Sequence, residues 1–320
     1  MQTKDGKTQG IDNVDYTKPL KIGPRQYGFD ESFILPGSLD MYPYAFVRDN
    51  KWAGSVTARK GWSAFNRVGP AAEDFEDTKV LDTFATQAEK FIKTNAPAAM
   101  AEKPFFLYVA LTAPHTPLQA PKKYIDKYPS LSGPRQKFAA MVHCRDDAIG
   151  RILRAIDKKG IADNTIVWFI SDNGGGTGSS NQPLRAGKQT VFEGGIRVPA
   201  AVRWPGGGLK GGRKVSAVMG YIDVLPTLAG LVGQTPGGQP ADGVHVSGVP
   251  RGMAGAPDPM WFSYRAQSAP DAPLAALAGE WKRAPTAPGS LPATRSRTAR
   301  ESGGVPSGLI KRADLARRAP

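Results

Sequence analysis

Three short segments of this 320-residue chain concentrate side chains suited to acting on an anionic ester. The first is Ala113-Pro114-His115-Thr116-Pro117, an imidazole between two prolines whose fixed φ angles stiffen the loop. A lone histidine is more often structural, because imidazole also satisfies loop carbonyls, but this one directly follows an apolar run of strand length. The second is Ser171-Asp172-Asn173-Gly174-Gly175, where adjacent carboxylate and amide oxygens are hard ligands suited to Ca²⁺ or Mg²⁺. An Asx turn closing a strand is the plainer alternative. The third, residues 184–199 (LRAGKQTVFEGGIRVP), sets Lys188 among small residues, from which an ammonium can reach a tetrahedral anion. One lysine alone is ordinarily just solvated. Together the segments offer oxygen ligands for a cation, an imidazole and an ammonium, which are the parts of a site for an anionic ester.

The surrounding pattern predicts how these parts are held. Up to about Pro70 the chain is rich in Gly, Pro, Tyr and Asp without periodicity, which reads as long loops over a core. From Asp77, placed to cap a helix, Val80, Leu81, Phe84, Ala88, Phe91 and Ile92 recur at helical spacing. Residues 105–111 (FFLYVAL) form a continuous apolar run, read as a strand buried on both faces of a parallel sheet. A second helix carries the stripe Phe138, Met141, Val142, Ile149, Ile152, Leu153 and Ile156, and Gly160 ends it. A β-branched and aromatic strand at residues 165–170 then stops at the Asp172-Asn173 turn. A further helix begins at Asp223, with Pro226 in its first turn. This alternation predicts an α/β fold with a mainly parallel sheet flanked by helices, and sites at the carboxyl ends of the strands.

Composition narrows the function classes. The single cysteine, Cys144, excludes an internal disulfide framework and a thiolate metal cluster. No apolar run is long enough to span a bilayer, and the first residues are polar rather than signal-like, so no membrane span and no export address are expected. The formal charge of +14 is partly a tail effect, since residues 284–320 hold seven basic against two acidic residues. That tail has no aromatic residue for base stacking, which argues against nucleic acid as a partner. Its Ala, Pro, Arg and Ser content cannot bury enough apolar surface to order it, so disorder is expected there. The expected organisation is a catalytic domain over residues 1–250, the start of a small subdomain at 251–283, and the basic tail.

Residues 104–128 (PFFLYVALTAPHTPLQAPKKYIDKY), 164–176 and 184–205 resemble the formylglycine-dependent sulfatases of the alkaline-phosphatase-like superfamily. The likeness extends from Tyr27-Gly28-Phe29-Asp30, through residues 221–228 (YIDVLPTL) and Asp242-Gly243-Val244, to a weaker match at residues 261–265 and 279–282. It implies that Asp172 and Asn173 ligate a divalent cation, usually Ca²⁺, and that His115 and Lys188 contact sulfate oxygens and assist the leaving group. In that family a formylglycine hydrate attacks sulfur, and the partner is a sulfate-ester substrate. The resemblance also implies a periplasmic, secreted or lysosomal setting.

The departures matter as much. Formylglycine is made from Cys or Ser in C/S-x-P/A-x-R, and Cys144-Arg145-Asp146-Asp147-Ala148 has neither the Pro nor the Arg. Cys144 therefore reads as an inert, partly buried helix thiol. Ser290-Leu291-Pro292-Ala293-Thr294-Arg295 puts the arginine one position late. The family's early Asp-Asp pair and its Gly-Lys-Trp-His-Leu-Gly segment are absent too, so the chain is expected to begin just past them, with an incomplete sheet and no activity alone. Two alternatives stand beside this reading: a degenerate domain that binds anions without catalysis, and a phosphoesterase of the same superfamily. The second is disfavoured because only His115, His143 and His245 are available to a two-metal site.

Overall fold

A computed structural model describes residues 1–6, 10–61, 66–235, 237 and 242–250, and four strands at 261–264, 274–278, 281–283 and 309–311. It forms two compact units, Met1–Ile161 and Ala162–Pro320.

The first unit opens with short strands where only loops were expected: β1 (Phe33–Ile34), β2 (Phe46–Arg48), β3 (Lys51–Ala53), β4 (Ala58–Lys60) and β5 (Gly69–Ala71). The β2–β3 hairpin turns on Asp49 and Asn50, both at positive φ (48° and 67°), which is the two-residue geometry that Asp and Asn tolerate best. Phe33 stacks on Phe46 with ring centroids 4.8 Å apart, and Phe46 meets Phe84 edge-on at 5.7 Å. These rings fasten the strands to helix α1 (Val80–Met100), around a core that includes Tyr44, Ala45, Phe75 and Val80.

Five of the six periodic residues of α1 are buried as expected, Val80, Leu81, Phe84, Ala88 and Ile92, while Phe91 is half-buried. Asp77 sits in a single 3₁₀ turn ahead of the helix rather than capping it, and no side-chain cap bond closes either element. After the one-turn α2 (Lys122–Ile125), helix α3 (Gly133–Lys158) buries Ala140, Met141, Cys144, Ala148 and Ile156. It begins five residues earlier than its apolar stripe, because Pro134 fits a first turn, and Gly160 follows at φ 70°. Among the described residues no helix is long and apolar enough to cross a membrane.

In the second unit, β6 (Val167–Ile170) pairs with β7 (Ala200–Arg203), and between them lies the single turn α4 (Glu193–Ile196). Helix α5 (Val224–Leu231) follows, and β8 (Trp261–Tyr264), β9 (Leu274–Ala278), β10 (Trp281–Arg283) and β11 (Leu309–Lys311) form one sheet in the order β11-β10-β9-β8. Strand β11 lies in the stretch expected to be disordered: Leu309-Ile310 is an apolar pair that the compositional reading averaged away. The rest of residues 284–320, and the boundary expected at 250/251, lie outside or at the edge of the described residues.

The sheet differs from expectation. Every pairing between named strands is antiparallel, and the parallel contact among the described residues is the isolated bridge Tyr44–Ala71. β7 returns alongside β6 without the helical crossover that parallel neighbours need. The run at residues 105–111 is not part of a sheet, and among the described residues its backbone makes no hydrogen bond. Nor is it buried on both faces: Phe105, Leu107, Val109 and Leu111 are half-buried, while Phe106 is 61% and Tyr108 71% exposed. The alternation is that of a strand with one covered face and open edges. Amides of residues 105–111 should therefore exchange with solvent far faster than those in the middle of α3. Hydrogen exchange with fragment-level mass spectrometry reads this directly, and equal protection in the two segments would refute it.

Candidate active site

In the first unit His115 sits between the cis peptide bonds Ala113–Pro114 and Thr116–Pro117. Its Nδ1 lies 2.7 Å from the Thr116 carbonyl and 3.9 Å from Asp40 Oδ1. With Nδ1–H donated to that carbonyl, proton exchange with a ligand falls to Nε2. Asp40 was missed by the sequence reading. It lies in an irregular Gly- and Pro-rich segment, and only the fold carries it to the histidine.

In the second unit the Asp172-Asn173 turn and the Lys188 loop are locked together through backbone. The Gly174 N–H donates to the Gly195 carbonyl at 2.8 Å, and the Lys188 N–H donates to the Gly175 carbonyl at 3.0 Å. The Asn181 side chain holds Gly175 at both ends, accepting from its N–H and donating to its carbonyl, each at 2.9 Å. Such an amide clamp has no pattern in sequence beyond an Asn in a polar loop. The glycines here serve close approach rather than unusual φ. A Cβ on Gly174 would stand 1.7 Å from the Gly194 carbonyl oxygen, and one on Gly195 would stand 2.2 Å from the Thr190 carbonyl oxygen. Arg185 completes the loop by lying 4.0 Å over the Phe192 ring.

The carboxylate of Asp172 is exposed, Asn173 and Lys188 are half-buried, and among the described residues neither Asp172 nor Asn173 commits its side chain to a hydrogen bond or ion pair. Two uncommitted hard oxygen donors at a fixed turn suit a hard divalent cation in kind, though not in number. Among the described residues no group of three His, Cys, Asp or Glu side chains converges as a metal cage would require. The structure thus holds Asp172, Asn173 and Lys188 within one interlocked segment, and His115 in the other unit.

Other matched motifs prove architectural. Asp223, fully buried, accepts from the Gly220 N–H at 3.0 Å and the Val244 N–H at 2.9 Å, while Thr227 Oγ1 accepts from the Val246 N–H at 2.9 Å. The Asp223 and Asp242-Gly243-Val244 motifs are therefore two sides of one clamp. Glu193, 4% exposed, places its carboxylate 3.9 Å from Arg197 Nη1 on the same helical turn.

Cys144 is 6% exposed within the cluster of Leu81, Tyr124 and Met141. Burial pushes its thiol above the ordinary cysteine range, so the thiolate that an alkylating agent needs is scarcer than in an exposed cysteine, and the buried sulfur is also shielded from the reagent. Iodoacetamide should therefore leave Cys144 essentially unmodified from pH 7 to 9 in the native state and label it readily in urea, as intact-mass spectrometry would record. Rapid native labelling at neutral pH would reopen the question of its reactivity.

The described family model for sulfatases matches residues 23–234. Human N-acetylgalactosamine-6-sulfatase is 35% identical over 226 residues, covering 67% of this chain and 40% of that protein. Mouse arylsulfatase J is 38% identical over 187 residues, covering 57% and 29%. Among solved structures, Ps i-CgsB in complex with k-i-k-neocarrahexaose superposes with a TM-score of 0.65 at 27% identity, covering 82% of this chain and 58% of that one. The chain belongs to the sulfatase family, with the α/β alkaline-phosphatase-like fold of that family. It spans 40% of the length of the N-acetylgalactosamine-6-sulfatases that it matches from human, rat and mouse.

Proposed function

We propose that the second unit carries the cation and ammonium portion of a site for sulfate-ester hydrolysis, that the first unit holds an imidazole of the kind this chemistry uses, and that the ester is carried by a carbohydrate. The observation that supports this reading most is the backbone interlock between the Asp172-Asn173 turn and Lys188, inside the segment that matches the sulfatase model. The carbohydrate class rests on the relatives, one named for N-acetylgalactosamine 6-sulfate and another bound to a neocarrahexaose.

Each residue has a definite task in this reading. Lys188 offers a compact positive charge to a sulfate oxygen, held in place by its own backbone bond to Gly175. His115 donates a proton from Nε2 to the departing alkoxide, its ring held through Nδ1 by the Thr116 carbonyl and steered by Asp40. Asp172 and Asn173 would hold a Ca²⁺ or Mg²⁺ ion, whose chemistry is to draw negative charge off the sulfate group. No attack step is assigned to this chain, because no segment of the 320 residues satisfies C/S-x-P/A-x-R. Partial matches satisfy one of the two defining positions at most. Among them, Ser55-Val56-Thr57-Ala58-Arg59, Ser247-Gly248-Val249-Pro250-Arg251 and Ser296-Arg297-Thr298-Ala299-Arg300 have the arginine but not Pro or Ala in third place, and Ser132-Gly133-Pro134-Arg135-Gln136, like Ser290, has the proline but not the arginine in fifth. Arg59 is also engaged at 2.9 Å by Asp12.

Two side-chain donors out of the roughly six to eight oxygens that Ca²⁺ prefers should give millimolar affinity, with water filling the remaining positions. Calorimetry should find such binding and lose it in Asp172→Ala. In the presence of Ca²⁺, N-acetylgalactosamine 6-sulfate should bind weakly and lose about tenfold in affinity in Lys188→Ala. Micromolar Ca²⁺ binding that survives Asp172→Ala, or sugar-sulfate binding indifferent to Lys188, would overturn this assignment.

A further inference from the structure

Helices α1 and α3 lie side by side and run in the same direction. Leu81 clusters with Ala140, Met141 and Cys144, and further along Arg151 reaches Asp82, Thr86 and Glu89. Beyond that bridge the two helices leave an open cleft of about 240 Å³ lined by Glu89, Lys93, Arg151, Arg154, Lys158 and Lys159, together with Ala155. The carboxylate in it, Glu89, is engaged by Arg151 through bonds of 3.0 and 2.5 Å. That contact, with Arg154 and Lys158 nearby, holds the Glu89 carboxyl below its ordinary range.

The other cations are differently placed. Among the described residues Lys93, Arg154, Lys158 and Lys159 have no carboxylate within ion-pairing distance. On α3 the spacing Arg151, Arg154, Lys158 puts the charges in one row about 10 Å long, and Lys93 faces that row from α1. The dipole of α3 favours Lys158 and Lys159 at its last turn, but it does nothing for Lys93, which sits well inside α1. Like charges gathered along one cleft repel, and an extended polyanion relieves that repulsion where a single small anion would be screened away.

The lining also selects among polyanions. It contains no aromatic ring on which a base could stack, and no large apolar side chain that could enter a lipid surface. We propose that this cleft is a docking surface for a sulfated polysaccharide, held through residues other than those assigned to the ester. The inference rests on the sulfated-carbohydrate reading above and extends it from a single ester group to a polymer.

The test uses the full chain and heparin as the sulfated polymer. Binding is measured by calorimetry and by the salt needed for elution from immobilised heparin, with chelator present so that Ca²⁺ plays no part. Changing Lys93, Arg154 and Lys158 together to Gln should weaken heparin binding about tenfold or more and lower the eluting salt. Charge reversal of the same residues to Glu should abolish binding, and if that variant melts early, the Gln variant alone decides. A second variant with Arg295, Arg297 and Arg300 changed to Gln should retain most of the affinity, as should Lys188→Ala. Four results would overturn the proposal: unchanged binding in the Gln variant, loss that follows the tail arginines instead, equal binding of desulfated heparin, or duplex DNA bound as tightly through the same residues. A groove that fails this test while Lys188→Ala still weakens binding of N-acetylgalactosamine 6-sulfate would leave the proposed function standing.

Discussion

Nitrophenyl sulfate incubated with the purified chain should be hydrolysed no faster than in buffer, even after co-expression with a formylglycine-generating enzyme. The ground is chemical. Sulfate-ester cleavage in the family proceeds through covalent attack, and enzymes deprived of their nucleophile fall by about 10⁶-fold in kcat. Lys188, His115 and a bound cation can stabilise charge and donate a proton, but they cannot replace the attacking atom. None of Cys144, Ser55, Ser132 or Ser290 stands in a complete modification motif, and Cys144 is buried as well. Clear turnover abolished by Cys144→Ala would mean that the thiol is reached and activated in a way its surroundings argue against. Turnover abolished by Ser55→Ala would assign the nucleophile to the first unit instead.

A second large effect is expected from one methyl group. In Gly174→Ala the new Cβ would fall 1.7 Å from the Gly194 carbonyl oxygen, a backbone atom that cannot rotate away as a side chain would. Relief requires breaking the Gly174–Gly195 hydrogen bond and moving the loop that carries Lys188. Overpacking of this kind commonly costs about 1–3 kcal/mol, and rigid backbone on both sides should carry this case past about 4 kcal/mol. The expected result is loss of the cooperative thermal transition of the second unit, or inclusion-body expression. Gly176→Ala is the control, since its Cβ would meet only Lys188 side-chain atoms at an ordinary 3.7 Å. Comparable melting of the two variants would show that the interlock is softer than its geometry.

The helices were the most legible part of the fold because their signal is redundant. Six apolar residues at helical spacing mark α1 and seven mark α3, and a shift of a residue or two at either end leaves the helix recognisable, although of the α3 stripe only Met141 and Ile156 are fully buried. The strands were less so. An apolar run such as residues 105–111 records that a segment favours extended backbone, but pairing depends on a neighbour that the run itself does not encode. The hairpin at Asp49-Asn50 was overlooked because its strands are three residues each, too short for alternation to stand out.

For the site, residue types in the Asp172, Lys188 and His115 segments pointed to the chemistry. What remained hidden was what holds them: the Asn181 clamp, the close approach of Gly174 to Gly195, and Asp40 beside His115. Each is a contact across irregular chain, and irregular chain has no period to read. The cleft between α1 and α3 escaped for a related reason. Arg154 and Lys158 look like an ordinary solvated helix face until the packing partner brings Lys93 opposite them.

The glycine interlock also bears on how such a protein can be re-engineered. Lys188 is located by main-chain bonds and by the absence of side chains at Gly174, Gly194 and Gly195, features that cannot be redesigned residue by residue as side-chain packing can. The stretch from Ser171 to Ile196 behaves as a single cassette. A graft of the lysine loop alone onto another scaffold would arrive without the turn that seats it, whereas the whole segment would bring its own template. Diversification aimed at new substrates therefore belongs in the flanking loops, with this cassette carried over unaltered.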